Sequence, residues 1–300
     1  MNFADDLDRR QQALGHPCLV GIDPHLSLLP EEFAAARDTT LSRADRAASM
    51  LDFCRQLLEV VADRAVAVKP QSAFFEVLGA DGVVAWEDVI AQARAAGVLV
   101  IGDLKRNDIA SSAEAYAEAH LDRADPRGCD AMTVSPYLGS DTLEPFVARC
   151  AESDTGAYVL VRTSNPGSAE FQRCGEPAVC EAVAKVVARV GERVMGDCGL
   201  SSIGAVVGAT HPGELARMRE LMPHTPFLLP GYGAQGATGK DLADAFLPGG
   251  RGVLVNASRS ISFAYRKPER AGLHWKDAAS QALDEMIEDL RSVSAGTGVG

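Results

Sequence analysis

Eight short runs of apolar and β-branched residues recur along this 300-residue chain, with longer segments of helical periodicity between them. The runs show little alternation of apolar and polar residues, which is typical of strands in a parallel sheet covered on both faces. Eight such strands separated by helices favour a closed (β/α)8 TIM barrel over an open doubly wound sheet. The predicted strands are CLVGID (18–23), AVAVKP (65–70), VLVIGD (98–103), AMTVS (131–135), AYVLVR (157–162), IGAVVG (203–208), PFLLPG (226–231) and GVLVN (252–256).

The segments between these runs carry the signals of amphipathic helices. Ser111 and Glu114 have the spacing of a capping box, and Pro212 suits the first turn of a helix. Between the first two predicted strands, apolar residues recur at helical spacing and predict one buried stripe, made of Met50, Leu51, Cys54, Leu57, Leu58 and Val61.

The whole chain, residues 1–300, is predicted to be one domain, because no low-complexity linker divides it and α/β barrels often reach this length. Two segments are longer than a simple barrel needs, at about 24–48 and 165–202, and we interpret them as helical insertions. The last residues are small and polar, so we expect a frayed tail over 292–300.

The acidic composition argues against several classes of partner. A net charge of −12 disfavours non-specific binding to nucleic acid or to an anionic membrane. A phosphorylated ligand would therefore need a local cationic pocket. No apolar run has the length of a membrane span, and the first ten residues lack the basic-then-apolar order of a secretory signal.

The seven cysteines are scattered without a CxxC pair, which is typical of reduced thiols rather than of a disulfide framework or a zinc site. The six histidines show no HxH or HExxH spacing. We therefore expect a cytoplasmic protein without a bound metal.

Polar residues close most of the predicted strands at their C-terminal ends. That end of a (β/α)8 barrel is the mouth at which active sites lie. A polar residue after any one strand is most often the start of a solvated loop, so no single member of the set identifies a site. The residues are Asp23, Lys69, Asp103, Ser135, Arg162 and Asn256.

The densest group of charges follows the third predicted strand, in the sequence DLKRND (103–108). A spacing of two places Asp103 and Lys105 on the same side of the strand end, close enough to pair. Asp108 lies just before the next predicted helix. The pattern fits a catalytic acid–base group, but it fits equally a surface ion pair of Asp103 with Lys105 and an N-cap at Asp108.

A glycine-rich segment, PGYGAQGATG (230–239), follows the seventh predicted strand, and NASRS (256–260) follows the eighth. Barrel enzymes often bind phosphate with these two loops. Glycines such as Gly233 let backbone N–H groups approach an anion, and Arg259 can grip two phosphate oxygens. The alternative is a flexible glycine loop with a surface arginine. Tyr232 either covers the ligand or shields the loop.

The sequence DLKRNDI (103–109) resembles the catalytic motif of the orotidine 5′-phosphate decarboxylases, and six further motifs occur in the order typical of that family. The resemblance spans most of the chain and is closest to the longer-chain bacterial subfamily. It implies a (β/α)8 barrel that removes CO2 from the nucleotide orotidine 5′-phosphate to give UMP, without a metal or another cofactor. The six motifs are GIDP (21–24), VKPQSAFFE (68–76), SPYLG (135–139), RTSNPGS (162–168), PGYGAQG (230–236) and VNASRSI (255–261).

The resemblance also implies roles for the charged residues. Lys105 matches the lysine that protonates C6 of the pyrimidine as CO2 leaves, and Asp103 matches the carboxylate beside the substrate's own carboxylate. Asp108 matches an aspartate that reaches the site of the neighbouring subunit, which implies a homodimer. Asp23 and Lys69 match residues that hold the ribose hydroxyls and complete the charged array.

The remaining implied contacts are with the base and the phosphate. Ser164 matches the serine that hydrogen-bonds the pyrimidine, and Gln235 and Arg259 match the residues that grip the phosphate. Gly233 belongs to the same loop and is counted with them. The implied partner is therefore a small nucleotide.

The charge pattern distinguishes two uses of Lys105. Carboxylates on both sides stabilise an ammonium, whereas a Schiff-base lysine must lose its proton, so Lys105 is better suited to donating a proton. Two alternatives stay open. One is a metal-dependent sugar-phosphate synthase, decarboxylase or epimerase on the same barrel, because such enzymes share a similar DxKxxD pattern. The other is a non-catalytic nucleotide-binding barrel.

Overall fold

The computed structural model describes residues 2–208, 212–233 and 238–296. Eight parallel strands pair in chain order, and the last pairs with the first, so the sheet is a closed barrel. The strands are β1 (Cys18–Ile22), β2 (Ala67–Pro70), β3 (Leu99–Arg106), β4 (Ala131–Val134), β5 (Gly156–Arg162), β6 (Ile203–Val207), β7 (Phe227–Pro230) and β8 (Val253–Ala257). The α-helices are α1 (Phe3–Leu14), α2 (Arg43–Val61), α3 (Ser72–Glu76), α4 (Ala80–Ala95), α5 (Ala110–His120), α6 (Glu144–Ser153), α7 (Ala169–Gln172), α8 (Val179–Gly191), α9 (Pro212–Leu221), α10 (Arg259–Ser262) and α11 (Trp275–Gly296).

The predicted (β/α)8 barrel is confirmed, and seven strands begin and end within two residues of their predicted bounds. The exception is β3, which continues to Arg106 instead of ending at Asp103. Its pairing with β4 is regular up to Gly102 and resumes only at Arg106, which is the pattern of a β-bulge. Asp103 and Lys105 therefore lie within an irregular strand end and not in a loop.

Two of the helix predictions are confirmed and one is wrong. Pro212 is the first residue of α9, as predicted. The predicted apolar stripe over 50–61 is buried along one face of α2. The capping box at Ser111 is wrong, because α5 begins at Ala110 and has Ile109 as its N-cap, without a side-chain capping bond. Ser111 lies inside the first turn, where its hydroxyl cannot act as the cap.

The two segments interpreted as insertions consist partly of the barrel's own helices. Residues 24–48 contain two 3-10 helices, Leu26–Leu28 and Glu31–Arg37, followed by the first turns of α2. Residues 165–202 contain α7 and α8, and α8 packs against β5 and β6 as the helix that links them. The additional chain length is therefore shorter than the sequence suggested.

The last helix, α11, packs against α2 and β1 on the outside of the barrel. Its first residue, Trp275, is buried, and its ring lies 5.0 Å from that of Phe53. The helix continues to Gly296, whereas the sequence predicted a frayed tail from residue 292. Residues 297–300 lie outside the described part of the chain.

The N-terminal end of the barrel is closed by α1. The centre of the Phe3 ring lies 6.1 Å from that of Tyr158, in an edge-to-face arrangement. Phe3 also packs against Gly156, the first residue of β5, so closely that a Cβ on Gly156 would lie 2.3 Å from the Phe3 ring. Phe3 and Leu7 are buried with the inner barrel residues. Burial of a side chain of this size contributes roughly 1.5–3 kcal/mol. The predicted mouth residues lie at the opposite, C-terminal end of the strands.

Candidate active site

The ends of β2 and β3 bring three charged side chains into direct contact. The Lys69 ammonium lies 2.5 Å from one oxygen of Asp103, and the Lys105 ammonium donates to the other. Lys69 and Asp103 are both buried, whereas 45% of the Lys105 side chain is exposed. The predicted pairing of Asp103 with Lys105 is confirmed, and it occurs inside the barrel mouth rather than on the outer surface.

Two neutral side chains complete the contacts of Asp103. The Thr133 hydroxyl donates to Oδ1 at 3.0 Å, and the Gln71 amide donates to Oδ2 at 3.1 Å. Thr133 lies in β4 and Gln71 directly follows β2, so the two neighbouring strands hold the carboxylate from both sides. Sequence reasoning missed both residues. Gln71 lies two positions after Lys69, in the VKPQSAFFE motif. The same two-residue spacing predicted that Asp103 and Lys105 lie on one side of their strand, and it would have placed Gln71 on the same side as Lys69.

The pKa values of the buried pair move in opposite directions. Burial alone raises the pKa of Asp103, but the ammonium groups of Lys69 and Lys105 outweigh it and hold that pKa well below its usual range. Burial alone lowers the pKa of Lys69, but Asp103 and Asp23 outweigh it and raise that pKa. Both groups therefore stay charged at physiological pH, as a preorganised electrostatic site requires.

The Lys105 backbone adopts a conformation that side chains rarely take, with φ at 49°. Such a conformation costs about 1–2 kcal/mol for a residue other than glycine. Thr133 offsets this cost, because its Oγ1 accepts hydrogen bonds from the backbone N–H groups of Leu104, at 3.0 Å, and Lys105, at 2.9 Å. The bulge turns the strand end so that both Asp103 and Lys105 reach the same point. Strain of this kind is typical of functional sites.

The structure corrects the expectation that two carboxylates flank Lys105. In the described chain only Asp103 forms an ion pair with Lys105, and Asp103 is itself the group between two opposite charges. Asp108 is partly exposed, and its Oδ1 accepts a hydrogen bond from the Ile109 N–H at 2.8 Å. The N-cap interpretation of Asp108 is also wrong, because Ile109 occupies that position.

Several buried acceptor atoms have no hydrogen-bond partner among the described residues, and two of them lie where β1 and β8 end beside this array. They are Oδ1 of Asp23, just after β1, and Oδ1 of Asn256, in β8. Buried polar atoms are rarely left unpaired, so each marks a place where a ligand or water can donate. The neighbouring Gly21 is required for this approach of β8 to β1, because a Cβ there would lie 1.9 Å from Ser258 Oγ.

The residues predicted to bind phosphate lie on the next part of the rim. Arg259 begins α10 and is exposed, and its guanidinium forms no ion pair or hydrogen bond with the described residues. Burial and the nearby Arg259 guanidinium lower the pKa of His25, and Asp23 acts in the opposite direction, so both charges lie near that ring. Gly233 has φ at 69°, and a Cβ there would lie 3.6 Å from Ser260 Oγ. Gln235 lies outside the described residues.

The remaining mouth residues have different surroundings. Ser164 follows β5, is partly exposed, and lies against the Gly208 backbone at the end of β6. Arg162 is buried, and its Nε donates to Glu214 in α9 at 2.7 Å, so it holds the β5 loop rather than facing a ligand. Among the residues that the structure describes, no group of three or more His, Cys, Asp or Glu side chains could hold a metal ion.

The fold and the site define a (β/α)8-barrel protein with a lysine–aspartate–lysine array at the mouth, of which Lys69 and Asp103 are buried. The sequence profile of the orotidine 5′-phosphate decarboxylase / HUMPS family matches residues 32–273. The chain therefore belongs to that family.

Individual proteins give the same result. An orotidine 5′-phosphate decarboxylase of Rhodopirellula baltica is 42% identical over 97% of this chain and 99% of its own, and that of Deinococcus radiodurans is 43% identical over 87% and 89%. The solved structure of Leishmania donovani OMP decarboxylase is 32% identical and has a TM-score of 0.76, covering 98% of this chain and 99% of its own.

Proposed function

We propose that this protein decarboxylates orotidine 5′-phosphate to UMP. The observation that carries the proposal is the contact of Asp103 with both Lys69 and Lys105 at the barrel mouth. A fixed pair of ammonium groups around one carboxylate suits a reaction in which negative charge develops on a substrate atom beside them. The relatives that are 42% and 43% identical carry the name of this activity.

In the proposed mechanism, the bond between C6 and the carboxylate breaks and its electron pair stays on C6. The Lys105 ammonium, which is the more exposed of the two, stabilises this carbanion and then transfers a proton to C6. The resulting amine recovers its proton from solvent. Asp103 orients the ammonium through a direct hydrogen bond, while Lys69 balances the buried carboxylate. We propose no cofactor for this step.

We assign the substrate contacts as part of the same proposal. Asp23 has an unpaired buried oxygen that can accept from a ribose hydroxyl, and Lys69 lies beside it. Ser164 contacts the pyrimidine, and Gly233, Gln235 and Arg259 bind the phosphate, for which the free guanidinium of Arg259 is the main support.

All seven cysteines are free, which fits the proposed location in the reducing cytoplasm. No helix among the described residues has the length and apolarity to cross a membrane.

We further propose a homodimer in which Asp108 completes the neighbouring subunit's site. Three large apolar side chains on the loops after β3 and β4 are exposed: Ile109 (59%), Tyr137 (83%) and Leu138 (50%). They lie on adjacent loops beside Asp108, where an exposed apolar patch favours contact with a second copy of the chain. Within the described part of its own chain, Asp108 forms no hydrogen bond or ion pair with another side chain, so its carboxylate is available to a second subunit.

The activity is tested by adding orotidine 5′-phosphate to the purified protein in EDTA and following the loss of pyrimidine absorbance. We expect turnover in EDTA, and loss of nearly all kcat in Lys105→Ala. Activity that requires a divalent metal would favour the sugar-phosphate alternative, and nucleotide binding without turnover would favour the non-catalytic barrel. Near-normal turnover in Lys105→Ala would refute the mechanism.

The shared site is tested by mixing subunits of Lys105→Ala and Asp108→Ala, each inactive alone. Random exchange makes half of the dimers mixed, and one of the two sites in each mixed dimer has both intact residues, so about a quarter of the activity should return. If Asp108 acts within its own chain, every site keeps one lesion and no activity returns.

A further inference from the structure

The start of the loop after β5 is held by one side chain amide of the short helix α7. Gln172, the last residue of α7, contacts Thr163 through both ends of this amide. Its Oε1 accepts from the Thr163 N–H at 2.8 Å, and its Nε2 donates to Thr163 Oγ1, also at 2.8 Å. The same Oε1 accepts from Nη1 of Arg162 at 3.3 Å. Gln172 therefore holds the two residues that precede Ser164.

Arg162 connects these contacts to the barrel wall. It is the last residue of β5 and is buried. Its Nε donates to Glu214 in α9 at 2.7 Å, and its Nη1 donates to the Thr163 carbonyl at 3.0 Å. Its own carbonyl accepts from the Gly208 N–H at 2.7 Å, at the end of β6. The loop therefore starts from a strand end that two neighbouring elements hold in place.

The Ser164 backbone is also restrained from its other sides. Thr163 Oγ1 donates to Asn165 Oδ1 at 2.7 Å, which ties the two neighbours of Ser164 to each other. A Cβ at Gly208 would lie 3.0 Å from both the Cβ and the backbone nitrogen of Ser164, so a larger residue there would displace the serine. The position of Ser164 is thus set by contacts made almost entirely by its neighbours.

The hydroxyl of Ser164 takes no part in this network. Ser164 is partly exposed, and its Oγ forms no hydrogen bond within the part of the chain that the structure describes. A polar group on a fixed backbone loses little conformational freedom when it binds a ligand, so fixing the backbone in advance increases affinity. The network therefore presents one free hydroxyl in a fixed place at the barrel mouth.

We propose that Gln172 is a positioning residue for recognition of the pyrimidine, acting through Thr163 on Ser164. The inference rests on the proposed function, in which Ser164 contacts the base. Gln172 touches no substrate atom in this scheme. Its amide fixes the loop so that the Ser164 hydroxyl meets the base without an ordering cost, in the way that supporting side chains hold a binding group in its productive geometry.

A double-mutant cycle tests whether Gln172 acts through Ser164. Ser164→Ala removes the contact with the base, and Gln172→Ala removes the support. If the support acts only through the serine, Gln172→Ala has no further effect once Ser164 is alanine. Glu170→Ala is the matched control, because Glu170 is exposed on the same helix and its side chain forms no hydrogen bond or ion pair with the described residues.

The experiment measures the affinity of UMP by calorimetry and that of ribose 5-phosphate, which lacks the base, by displacement of UMP. The ratio of the two affinities isolates the contribution of the base. We expect Ser164→Ala to weaken UMP about tenfold and Gln172→Ala about fivefold, with less than about a twofold change for ribose 5-phosphate. The double variant should bind UMP as Ser164→Ala does, and Glu170→Ala should match the wild type.

Three results would overturn the inference. In the first, Gln172→Ala binds UMP as tightly as Glu170→Ala does. In the second, UMP and ribose 5-phosphate weaken equally, which would indicate general loss of structure. In the third, the effects of Gln172→Ala and Ser164→Ala on UMP simply add in the double variant. A wild-type protein that does not bind UMP at all would instead reject the proposed function, so the two failures are distinguishable.

Discussion

Thr133 is the residue on which the geometry of the charged array depends most, and Thr133→Val tests that dependence. Valine has the same shape but lacks the hydroxyl. The substitution removes a donor to Asp103 at 3.0 Å and the acceptor shared by the N–H groups of Leu104 and Lys105. Thr133 is 1% exposed, so water cannot readily replace these bonds.

The expected magnitude follows from the bonds lost. A hydrogen bond to a charged group contributes roughly 1.5–3 kcal/mol, and each buried donor left unpaired costs about 1–3 kcal/mol. Lys69 and Gln71 still hold the carboxylate. We therefore expect the free energy of unfolding to fall by about 4 kcal/mol, near the lower end of the sum of these contributions. The Lys105 backbone, no longer held near φ 49°, should relax, and a shift of about 1 Å in its ammonium lowers kcat roughly a hundredfold.

The assay compares kcat and KM for orotidine 5′-phosphate with urea unfolding of the same samples. Thr133→Ser retains the hydroxyl and should recover most of kcat, which separates the hydrogen bonds from the loss of a methyl group. If Thr133→Val keeps kcat within threefold of the wild type, the hydroxyl does not position Lys105 and the reasoning is wrong.

Three further predictions concern other parts of the molecule. Arg259→Ala should lower kcat/KM for the nucleotide roughly a hundredfold, because the Arg259 guanidinium is free to bind phosphate. The affinity for uridine, which has no phosphate, should change little. Equal loss of affinity for the nucleotide and for uridine, measured by calorimetry, would contradict this. Gly21→Ala should cost about 1–3 kcal/mol of unfolding free energy because of the 1.9 Å clash with Ser258, whereas Gly213→Ala, on a helix with no atom near the new Cβ, should be neutral or stabilising in the same urea titration. Burial, and to a lesser extent Arg291, lower the pKa of His16 from 6.5 to about 4. As the pH falls, His16 is therefore protonated in the unfolded chain before it is protonated in the folded one. The contribution of the neutral His16 to stability is complete above pH 6.5 and is lost as the pH falls towards 4. The loss at pH 5 should be about 2 kcal/mol and should disappear in His16→Asn, which keeps an acceptor for the Cys18 N–H; an unchanged pH slope would contradict the assignment.

The positions of the strands could be predicted because parallel barrel strands are buried on both faces and their sequences are almost continuously apolar. The mouth followed from the polar residues that end those strands, and the two-residue spacing was enough to pair Asp103 with Lys105. Thr133 was not predictable in the same way. Its contact depends on the register of β3 with β4 across the bulge, which single-strand periodicity does not contain.

The errors have local causes. Ser111 and Glu114 have capping-box spacing, but the N-cap of α5 is Ile109, two residues earlier, and the chain enters the helix through Ala110 at φ 44°. The expectation of two carboxylates around Lys105 assumed that Asp108 stays with the strand. The chain instead leaves the strand after Arg106, and Asp108 lies partly exposed beside the exposed Ile109.

The pairing of β8 with β1 has a consequence for how the protein is made. The charged array comes from β1 to β3, but Asn256 and Arg259 belong to the other end of the chain, and closure alone makes them neighbours. A nascent polypeptide that stops short of residue 253 would present the open edges of β1 and β7, which can pair with strands of other chains. Catalytic competence is therefore acquired late in synthesis, and until then the growing chain is most exposed to aggregation.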